Sequence, residues 1–170
     1  METAFLFNIR KNDMIDGMGL AKGTKVLVTA GASGIGRTIA ETFEQAGAKI
    51  HICDNSDIAL EKCSTDHPSW GVTKCDVSNP SEVDTLFDEV QKNLSGLDVL
   101  VNNAGIAGPT SPVHEMDIED WNRTIEINLN GQFYCARRAV PMLKASHNAS
   151  MICISSVAGR FGYAFRTPYS

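Results

Sequence analysis

Thr29-Ala30-Gly31-Ala32-Ser33-Gly34-Ile35-Gly36 is the stretch that decides the fold of this 170-residue chain. It follows the β-rich run Lys25–Thr29 and leads into a helical pattern near Ile35–Gln45, so we expect a turn that joins a strand to a helix. Small residues in such a turn let the backbone approach a pyrophosphate, which the N–H groups and the dipole of the helix N-terminus bind. Glycines also occur in ordinary turns and helix caps, and the position inside a βαβ unit is what favours the functional interpretation. The predicted cofactor contacts in this turn are Ala30, Gly31, Ser33, Gly34, Ile35 and Gly36.

Short β-rich runs alternate with helical patterns along the rest of the chain. The predicted strands are Lys25–Thr29, Lys49–Cys53, Gly71–Cys75, Asp98–Val101 and Ser150–Ile154. The predicted helices lie near Ile35–Gln45, Asp57–Cys63, Pro80–Asn93 and Ile118–Lys144, the last with Asp117 as its N-cap. Such alternation implies an α/β fold, in which right-handed crossovers place helices on both faces of a doubly wound parallel sheet.

Composition and charge exclude some classes of partner. Hydrophobic residues make up 43% of the chain and charged residues 21%, values that are typical of a soluble globular domain. The net charge of −5 argues against a nucleic-acid partner, because phosphate binding needs clustered Lys and Arg. No apolar run approaches the roughly 18 residues that a membrane-spanning helix requires. We therefore expect neither a nucleic-acid nor a membrane partner.

One domain is predicted over residues 24–170, preceded by a poorly ordered tail, Met1–Gly23. The apolar patch Ala4–Phe7 in this tail is too short for the core of a signal peptide and lacks a small-residue cleavage site. Met14 and Met18 are alternative starts, which fits a tail that the domain does not need.

The five cysteines are odd in number and contain no C-x-x-C pair. Three of them, Cys53, Cys75 and Cys153, lie in or at the end of predicted strands, where a free thiol behaves as a small buried hydrophobe. We therefore expect a reducing cytoplasmic setting and no metal site, since the four histidines show no ligand spacing either.

Asp54 follows the second predicted strand, 18 residues after Gly36. An acidic side chain there accepts hydrogen bonds from ribose hydroxyls and repels a 2′-phosphate. The alternative role is a helix N-cap, since Asn55-Ser56-Asp57 comes next. Arg37 is the cation that could attract a 2′-phosphate, but its place after the last glycine puts it on the helix surface. The sequence thus favours NAD over NADP as the cofactor.

Further motifs stand in a fixed order after the glycine-rich turn. They are Asp76-Val77 after strand three, Asn102-Asn103-Ala104-Gly105 after strand four, Asn128 in Ile127-Asn128-Leu129-Asn130-Gly131, Ser156, and Tyr169 thirteen residues later. With these motifs, residues 24–170 resemble the short-chain dehydrogenase/reductase family. The resemblance implies a Rossmann-like sheet with strand order 3-2-1-4-5.

The resemblance also implies where a cofactor lies. It assigns adenine contacts to Asp76 and Val77. It also implies that the segment Asn102–Gly105 borders the cofactor and braces the sheet, with Asn102, Ala104 and Gly105 as the cofactor contacts. Asn102-Asn103 is also a plausible strand-ending turn, since Asn tolerates a left-handed backbone. One departure from the family pattern is Ala30, which replaces the first glycine of the turn and costs energy if that position needs a positive φ.

Interconversion of an alcohol and a ketone needs an acid/base group while hydride moves to or from carbon. The resemblance assigns this role to Tyr169. A tyrosine has an ordinary pKa of about 10, and lowering it to neutrality takes a nearby cation. The family supplies a lysine four residues after the tyrosine, a position that this sequence does not contain.

The remaining catalytic predictions concern two polar side chains. Ser156 is expected to hold the substrate oxygen against Tyr169, and the thirteen-residue spacing selects it over Ser155. Asn128 anchors a water in the family, and its alternative role is that of a polar residue that kinks a long helix.

We therefore expect the N-terminal portion of an NAD(P)-dependent oxidoreductase, truncated before the last strands of the family's sheet. Strand five is then an exposed apolar edge, Tyr169 lies on a frayed terminus, and turnover by this length is low. The alternative is a non-catalytic NAD-binding fragment or sensor. For the complete protein, the resemblance implies a small-molecule alcohol or ketone substrate and a homo-oligomer.

Overall fold

Five parallel strands form one sheet in the computed structural model, which describes residues 20–170. The strands are β1 Lys25–Thr29, β2 Lys49–Asp54, β3 Gly71–Lys74, β4 Val99–Asn102 and β5 Ser150–Cys153. Their order is β3-β2-β1-β4-β5, which confirms the predicted doubly wound topology. The predicted tail lies outside the described residues except for 20–23.

Helices cover both faces of the sheet. They are α1 Gly34–Gln45, α2 Asp57–Asp66, α3 Pro80–Leu94, α4 Ile118–Ile125, α5 Gly131–Lys144 and the short α6 Ala158–Phe161. Asp117 caps α4 as predicted, because its side chain accepts the N–H of Glu119 at 2.8 Å. The predicted helical stretch Ile118–Lys144 is confirmed, and within it a π-helical turn, Glu126–Asn130, separates α4 from α5.

Two apolar cores lie on opposite faces of the sheet. Leu27 of β1 and Leu100 of β4 pack against α3 and α5, whereas Val26 and Val28 face α1 and α2. Parallel strands are buried on both faces, which explains why β1 is apolar at successive positions rather than at alternate ones. Among the described residues, no helix has the combination of length and apolar character needed to span a bilayer.

Strand β5 forms an edge of this sheet within the described residues, and it is partly uncovered. It pairs with β4 in register, Leu100 opposite Met151 and Val101 opposite Ile152. Met151 and Ile152 are 37% and 38% exposed, in agreement with the expected apolar edge. Cys153 is also exposed, so the expectation that the strand cysteines are all buried is wrong for this one.

The other four cysteines are buried and free. Cys53 and Cys75 share a core, where the hydrogen bond between them and burial raise the pKa of the Cys53 thiol. Burial also raises the pKa of Cys135 to about 12. The thiols of Cys53 and Cys135 are therefore protonated at neutral pH, and the buried cysteines pack as small apolar groups.

The turn between β1 and α1 contains a strained residue. Ala30 has a φ of 49°, in the left-handed region that favours glycine, and Gly34 has a φ of 52°. The next residue, Gly31, donates its N–H to the carbonyl of Cys53 at 2.9 Å, which fixes the turn against β2. The expected energetic cost of alanine at position 30 is therefore present in this structure.

His51 is a fully buried titratable group in β2. Its Nε2 lies 2.9 Å from the Thr73 hydroxyl, and a Cβ added to Gly71 would lie 2.3 Å from its Nδ1. Burial lowers the pKa of His51 to about 4, while the charge of Glu89 opposes this shift. The imidazole is therefore neutral in the folded protein at neutral pH.

Acidification should destabilise the fold through His51. The ordinary histidine pKa is about 6.5, so between pH 6.5 and 4 the unfolded chain binds a proton that the folded chain does not. The free energy of unfolding should fall over this window by up to about 3 kcal/mol. Urea titrations at several pH values give the free energy of unfolding as a function of pH. This free energy should fall less steeply on acidification in His51→Asn than in the unaltered chain. The exposed His147→Asn serves as the control, and equal slopes for all three proteins would contradict the assignment.

Replacing Ala30 by glycine should stabilise the protein. Relief of the left-handed backbone gains about 1–2 kcal/mol, and the greater freedom of glycine in the unfolded chain offsets about half of it. We expect a net gain of about 0.5–1 kcal/mol in urea unfolding. Ala145→Gly is the matched control, because Ala145 has a φ of −86° and should lose stability. A loss of stability in Ala30→Gly would show that the turn is not strained.

Candidate functional site

Gly31 and Gly36, in and after the turn at the N-terminus of α1, lie in close contact with neighbouring residues. A Cβ added to Gly36 would lie 2.2 Å from the Ala30 carbonyl oxygen and 2.6 Å from Asn103 Nδ2. A Cβ on Gly31 would lie 2.7 Å from the Ile52 side chain. Both positions therefore require glycine for space, whereas Gly34 requires it for its backbone conformation.

The N-terminus of α1 keeps its amide groups open. Ser33 is the N-cap, but its side chain accepts no hydrogen bond from the helix. The N–H groups of the first turn have no partner within an α-helix, and together with the helix dipole they form a site for an anion. A pyrophosphate is the anion that fits this combination of small residues and free amides.

Asp54 lies at the carboxyl end of β2, beside the turn. Its carboxylate accepts the N–H of Ala32 at 3.2 Å and the N–H of Ser56 at 3.1 Å, and the residue is only 8% exposed. The alternative role as a helix cap is wrong, because Ser56 caps α2 through a bond from Ala59. Two backbone donors therefore hold the Asp54 carboxylate in one orientation.

A cavity of about 110 Å³ joins the strand ends to the long helical segment. It is lined by several of the sequence-predicted cofactor residues, which are Ala30, Asp54, Asp76, Val77, Ala104 and Gly105. Asn55, Cys75, Ile106 and Ile127 complete the lining. The structure thus brings together residues from five separate segments of the chain.

A second cavity, of about 320 Å³, adjoins the first and shares Ala104, Gly105 and Ile106 with it. Its lining includes the three predicted catalytic residues, Asn128, Ser156 and Tyr169, together with Ile35 and Ser155. The cleft formed by the two cavities therefore runs from Asp54 and Asp76 at one end to Ser156 and Tyr169 at the other.

A larger cavity, of about 630 Å³, lies along α1. Among the described residues, its lining includes Gly34 and Ile35 of the glycine-rich turn but none of the predicted catalytic residues. Its described lining is apolar except for the hydroxyls of Thr38 and Thr42, and it includes Leu20, Ile39 and Phe43. No titratable side chain contributes to that described lining. The smaller pair of cavities is therefore the better candidate for acid/base chemistry.

The two adjacent asparagines at the end of β4 lie in different places: Asn102 is buried away from the cleft, and Asn103 lines it. Asn102 is buried and points its amide at the Gln132 carbonyl, 3.4 Å away, so it lines neither cavity of the cleft. Asn103, which belongs to the segment expected to border the cofactor, lines the second cavity and donates to the carbonyls of Thr29 and Ala30 at 2.9 and 3.2 Å. The Asn-Asn pair gives no signal of its own for which residue faces inward.

Asn128 lies on the π-helical turn and holds the loop after β4. The N–H of Ile106 donates to Asn128 Oδ1, and Asn128 Nδ2 donates to the Ile106 carbonyl, both at 2.8 Å. The side chain thus acts as a two-bond clamp on the segment that separates the two cavities. The residue thus lies both on an irregular turn of the long helical segment and in the lining of the second cavity.

Ser156 reaches the cleft from the loop between β5 and α6, and Tyr169 reaches it from a short turn near the end of the described residues. Ser156 Oγ accepts the N–H of Ala158 at 3.1 Å, which leaves its hydroxyl hydrogen free to donate. Tyr169 ends a 3₁₀ turn, Thr167–Tyr169, and its N–H donates to the Arg166 carbonyl at 3.0 Å.

Arg166 is a further residue of this region that sequence reasoning missed. Its Nη1 donates to the carbonyls of Ala107 and Gly108 at 3.1 and 2.8 Å, which ties the segment that carries Tyr169 to the loop after β4. Arg37, by contrast, lies on the helix surface as expected. It pairs with Glu41 and Asp66 at 2.8 Å each, and these hydrogen bonds raise its pKa.

Comparison with known proteins agrees with this arrangement. The family described as short chain dehydrogenase matches residues 24–170. A 3beta-hydroxysteroid dehydrogenase of Mediterraneibacter gnavus is 37% identical over 148 residues, which cover 85% of this chain and 53% of that protein. A probable NADP-dependent mannitol dehydrogenase of Yarrowia lipolytica is 34% identical, with 81% of this chain and 51% of that protein covered.

A 2-dehydro-3-deoxy-L-rhamnonate dehydrogenase (NAD(+)) of a Sphingomonas species is 33% identical over 152 residues, 89% of this chain and 61% of that protein. The chain spans between about half and three-fifths of the length of these relatives. The match of the family to nearly all of the described residues, together with identities above 30%, leads to one conclusion. The chain belongs to the short chain dehydrogenase family.

Proposed function

We propose that this chain contains the cofactor site and the acid/base group of an NAD-dependent oxidoreductase that interconverts a secondary alcohol and a ketone. The observation that carries the proposal is the single cleft that joins Asp54 and Asp76 to Ser156 and Tyr169. The relatives are named as dehydrogenases that act on hydroxyl compounds, which supports the same class of substrate.

The residues of the cleft fit a nicotinamide dinucleotide. The free amides at the head of α1 and the glycine-only space at Gly36 suit the pyrophosphate, and the carboxylate of Asp54 suits the ribose hydroxyls. Asp76 and Val77 line the cavity next to it and would hold the adenine. When bound, the nicotinamide ring accepts or donates the hydride.

Preference for NAD over NADP follows from the charges beside the ribose position. Asp54 is negative and is held in place by two backbone amides, so a 2′-phosphate would meet a fixed like charge. Arg37, the candidate partner for such a phosphate, is already paired with two carboxylates. The relatives include both cofactor types, and the preference therefore rests on Asp54 and Arg37.

The side chains at the other end of the cleft have separate roles in this proposal. Tyr169 accepts the hydroxyl proton in oxidation and returns it in reduction. Ser156 donates its free hydroxyl hydrogen to the substrate oxygen and thereby aligns it with the phenol. Asn128 keeps the loop after β4 in place, since both polar atoms of its amide are bonded to Ile106.

A homo-oligomer is also proposed, with α5 and the adjoining π-helical turn as the subunit contact. Phe133 and Val140, seven residues apart, share one side of α5 at 61% and 39% exposure, whereas the exposed Leu129 lines the second cavity of the cleft. Large apolar side chains in a row on an exposed helix mark a protein interface more often than a free surface. The family resemblance points to the same helix.

Cofactor choice is the first test of the proposal. Isothermal titration of the unaltered chain should give a lower Kd for NAD than for NADP, and Asp54→Ala should reduce that ratio by about tenfold. Asp57→Ala is the control, because Asp57 starts α2 on the exposed surface and pairs with Lys74. Absence of heat with NAD would contradict the cofactor site, and an unchanged ratio in Asp54→Ala would contradict the role of Asp54.

The acid/base role of Tyr169 is tested by loss of its hydroxyl. Tyr169→Phe should lower the NAD-dependent oxidation of secondary alcohols by about 100-fold or more, measured as formation of reduced nicotinamide. The exposed Tyr163→Phe makes the same change outside the cleft and should leave the rate unaltered. Equal rates in all three proteins would exclude Tyr169 as the acid/base group. NAD binding without turnover by the unaltered chain would favour a non-catalytic NAD-binding role.

A further inference from the structure

Arg123, near the end of α4, forms a closed ring of hydrogen bonds with Asp76 and Ser78. Its Nη2 donates to Asp76 Oδ2 at 2.7 Å, and its Nη1 donates to Ser78 Oγ at 2.6 Å. Ser78 in turn donates to Asp76 Oδ1 through its N–H at 3.0 Å and its hydroxyl at 2.7 Å. Both carboxylate oxygens of Asp76 are therefore fixed, one from the turn after β3 and one from a helix 47 residues away.

The main chain of Asp76 is held as well, because its N–H donates to Glu82 Oε2 at 2.8 Å. Burial alone would raise the pKa of the Asp76 carboxyl, and the hydrogen bonds from Arg123 and Ser78 more than offset it, so the pKa lies below its ordinary value. The carboxylate is ionised at neutral pH and can act only as an acceptor.

A carboxylate offers about four acceptor positions, and the three donors of the ring leave about one unused. Asp76 lines the cavity of about 110 Å³ together with Val77, at the end where the adenine is proposed to lie. An acceptor at this point attracts the amino group of a 6-amino purine and repels the carbonyl oxygen of a 6-oxo purine.

This inference rests on the proposed dinucleotide site. We propose that Arg123 is a positioning residue that aims the unused acceptor of Asp76 into the cavity, so that the site selects a 6-amino purine over a 6-oxo purine. The planar guanidinium suits this task because it spans Asp76 and Ser78 at once, which a lysine ammonium cannot do in the same geometry.

The test compares two ligands of equal charge, NAD and its hypoxanthine analogue, by isothermal titration of the full chain. The unaltered protein should bind NAD about tenfold more tightly than the analogue, as expected for one hydrogen bond to a charged group. Arg123→Met should bring this ratio to about two or less. Loss of a positive charge weakens the binding of both ligands by the same factor, because their charges are equal. The ratio of their dissociation constants therefore reports the orientation of the Asp76 carboxylate and not the overall charge of the site.

Arg138→Met is the matched control. Arg138 also forms an ion pair with an aspartate, Asp88 at 2.7 Å, and has an exposed fraction of 36% against 42% for Arg123, but it lines neither cavity of the cleft. Both dissociation constants and their ratio should match those of the unaltered chain. Arg123→Lys keeps the positive charge but cannot bond Asp76 and Ser78 at once in the same geometry. The ratio of the two dissociation constants should therefore also fall in this variant.

The possible results separate this inference from the proposed function. Equal weakening of both dinucleotides in Arg123→Met, with the ratio kept at about tenfold, would overturn the positioning role and leave the cofactor site standing. Failure of the unaltered chain to bind either ligand would overturn both proposals. If circular dichroism shows that Arg123→Met does not fold, Arg123→Lys decides: a fallen ratio supports the inference and an unchanged ratio overturns it.

Discussion

The whole site depends on how closely α1 can approach the ends of β1 and β4. Asn103 donates to the carbonyls of Thr29 and Ala30, while the Thr29 hydroxyl accepts the N–H groups of Asn103 and Ala104 at 3.0 Å each. Gly36 lies against this junction with no room for a side chain. A larger residue would push the helix N-terminus outward, and the amides that form the anion site would move with it.

The long helical segment from α4 to α5 connects the two ends of the cleft. Arg123 reaches the end that holds Asp76, and Asn128, on the π-helical turn, reaches the loop at Ile106. π-helical turns occur often at functional sites, because the extra residue lets a side chain leave the helical register. Here the side chain that leaves it forms two hydrogen bonds to one loop residue, which fixes the wall shared by both cavities.

Local patterns predicted the fold well, because each strand and helix carries its own signal. Apolar runs gave the strands that are buried on two faces, and the structure confirms the predicted helix starts at Pro80 and after Asp117. The sequence left open whether Ala30 needs a positive φ, and the structure gives it a φ of 49°. Contacts between distant polar side chains were not foreseen, because neither the Arg123–Asp76 pair nor the Arg166 contacts have a spacing or periodicity that marks them.

Charge balance explains why two carboxylates can line one cavity of about 110 Å³. Asp54 and Asp76 would repel each other and a negatively charged ligand if neither were compensated. Asp54 is compensated by backbone N–H donors, and Asp76 by the positive charge of Arg123 and by Ser78. The free amides of α1 are then left to attract the anionic part of a ligand, while the carboxylates serve only as directed acceptors. The ion pair from α4 is thus what allows an acidic cavity to lie next to an anion site.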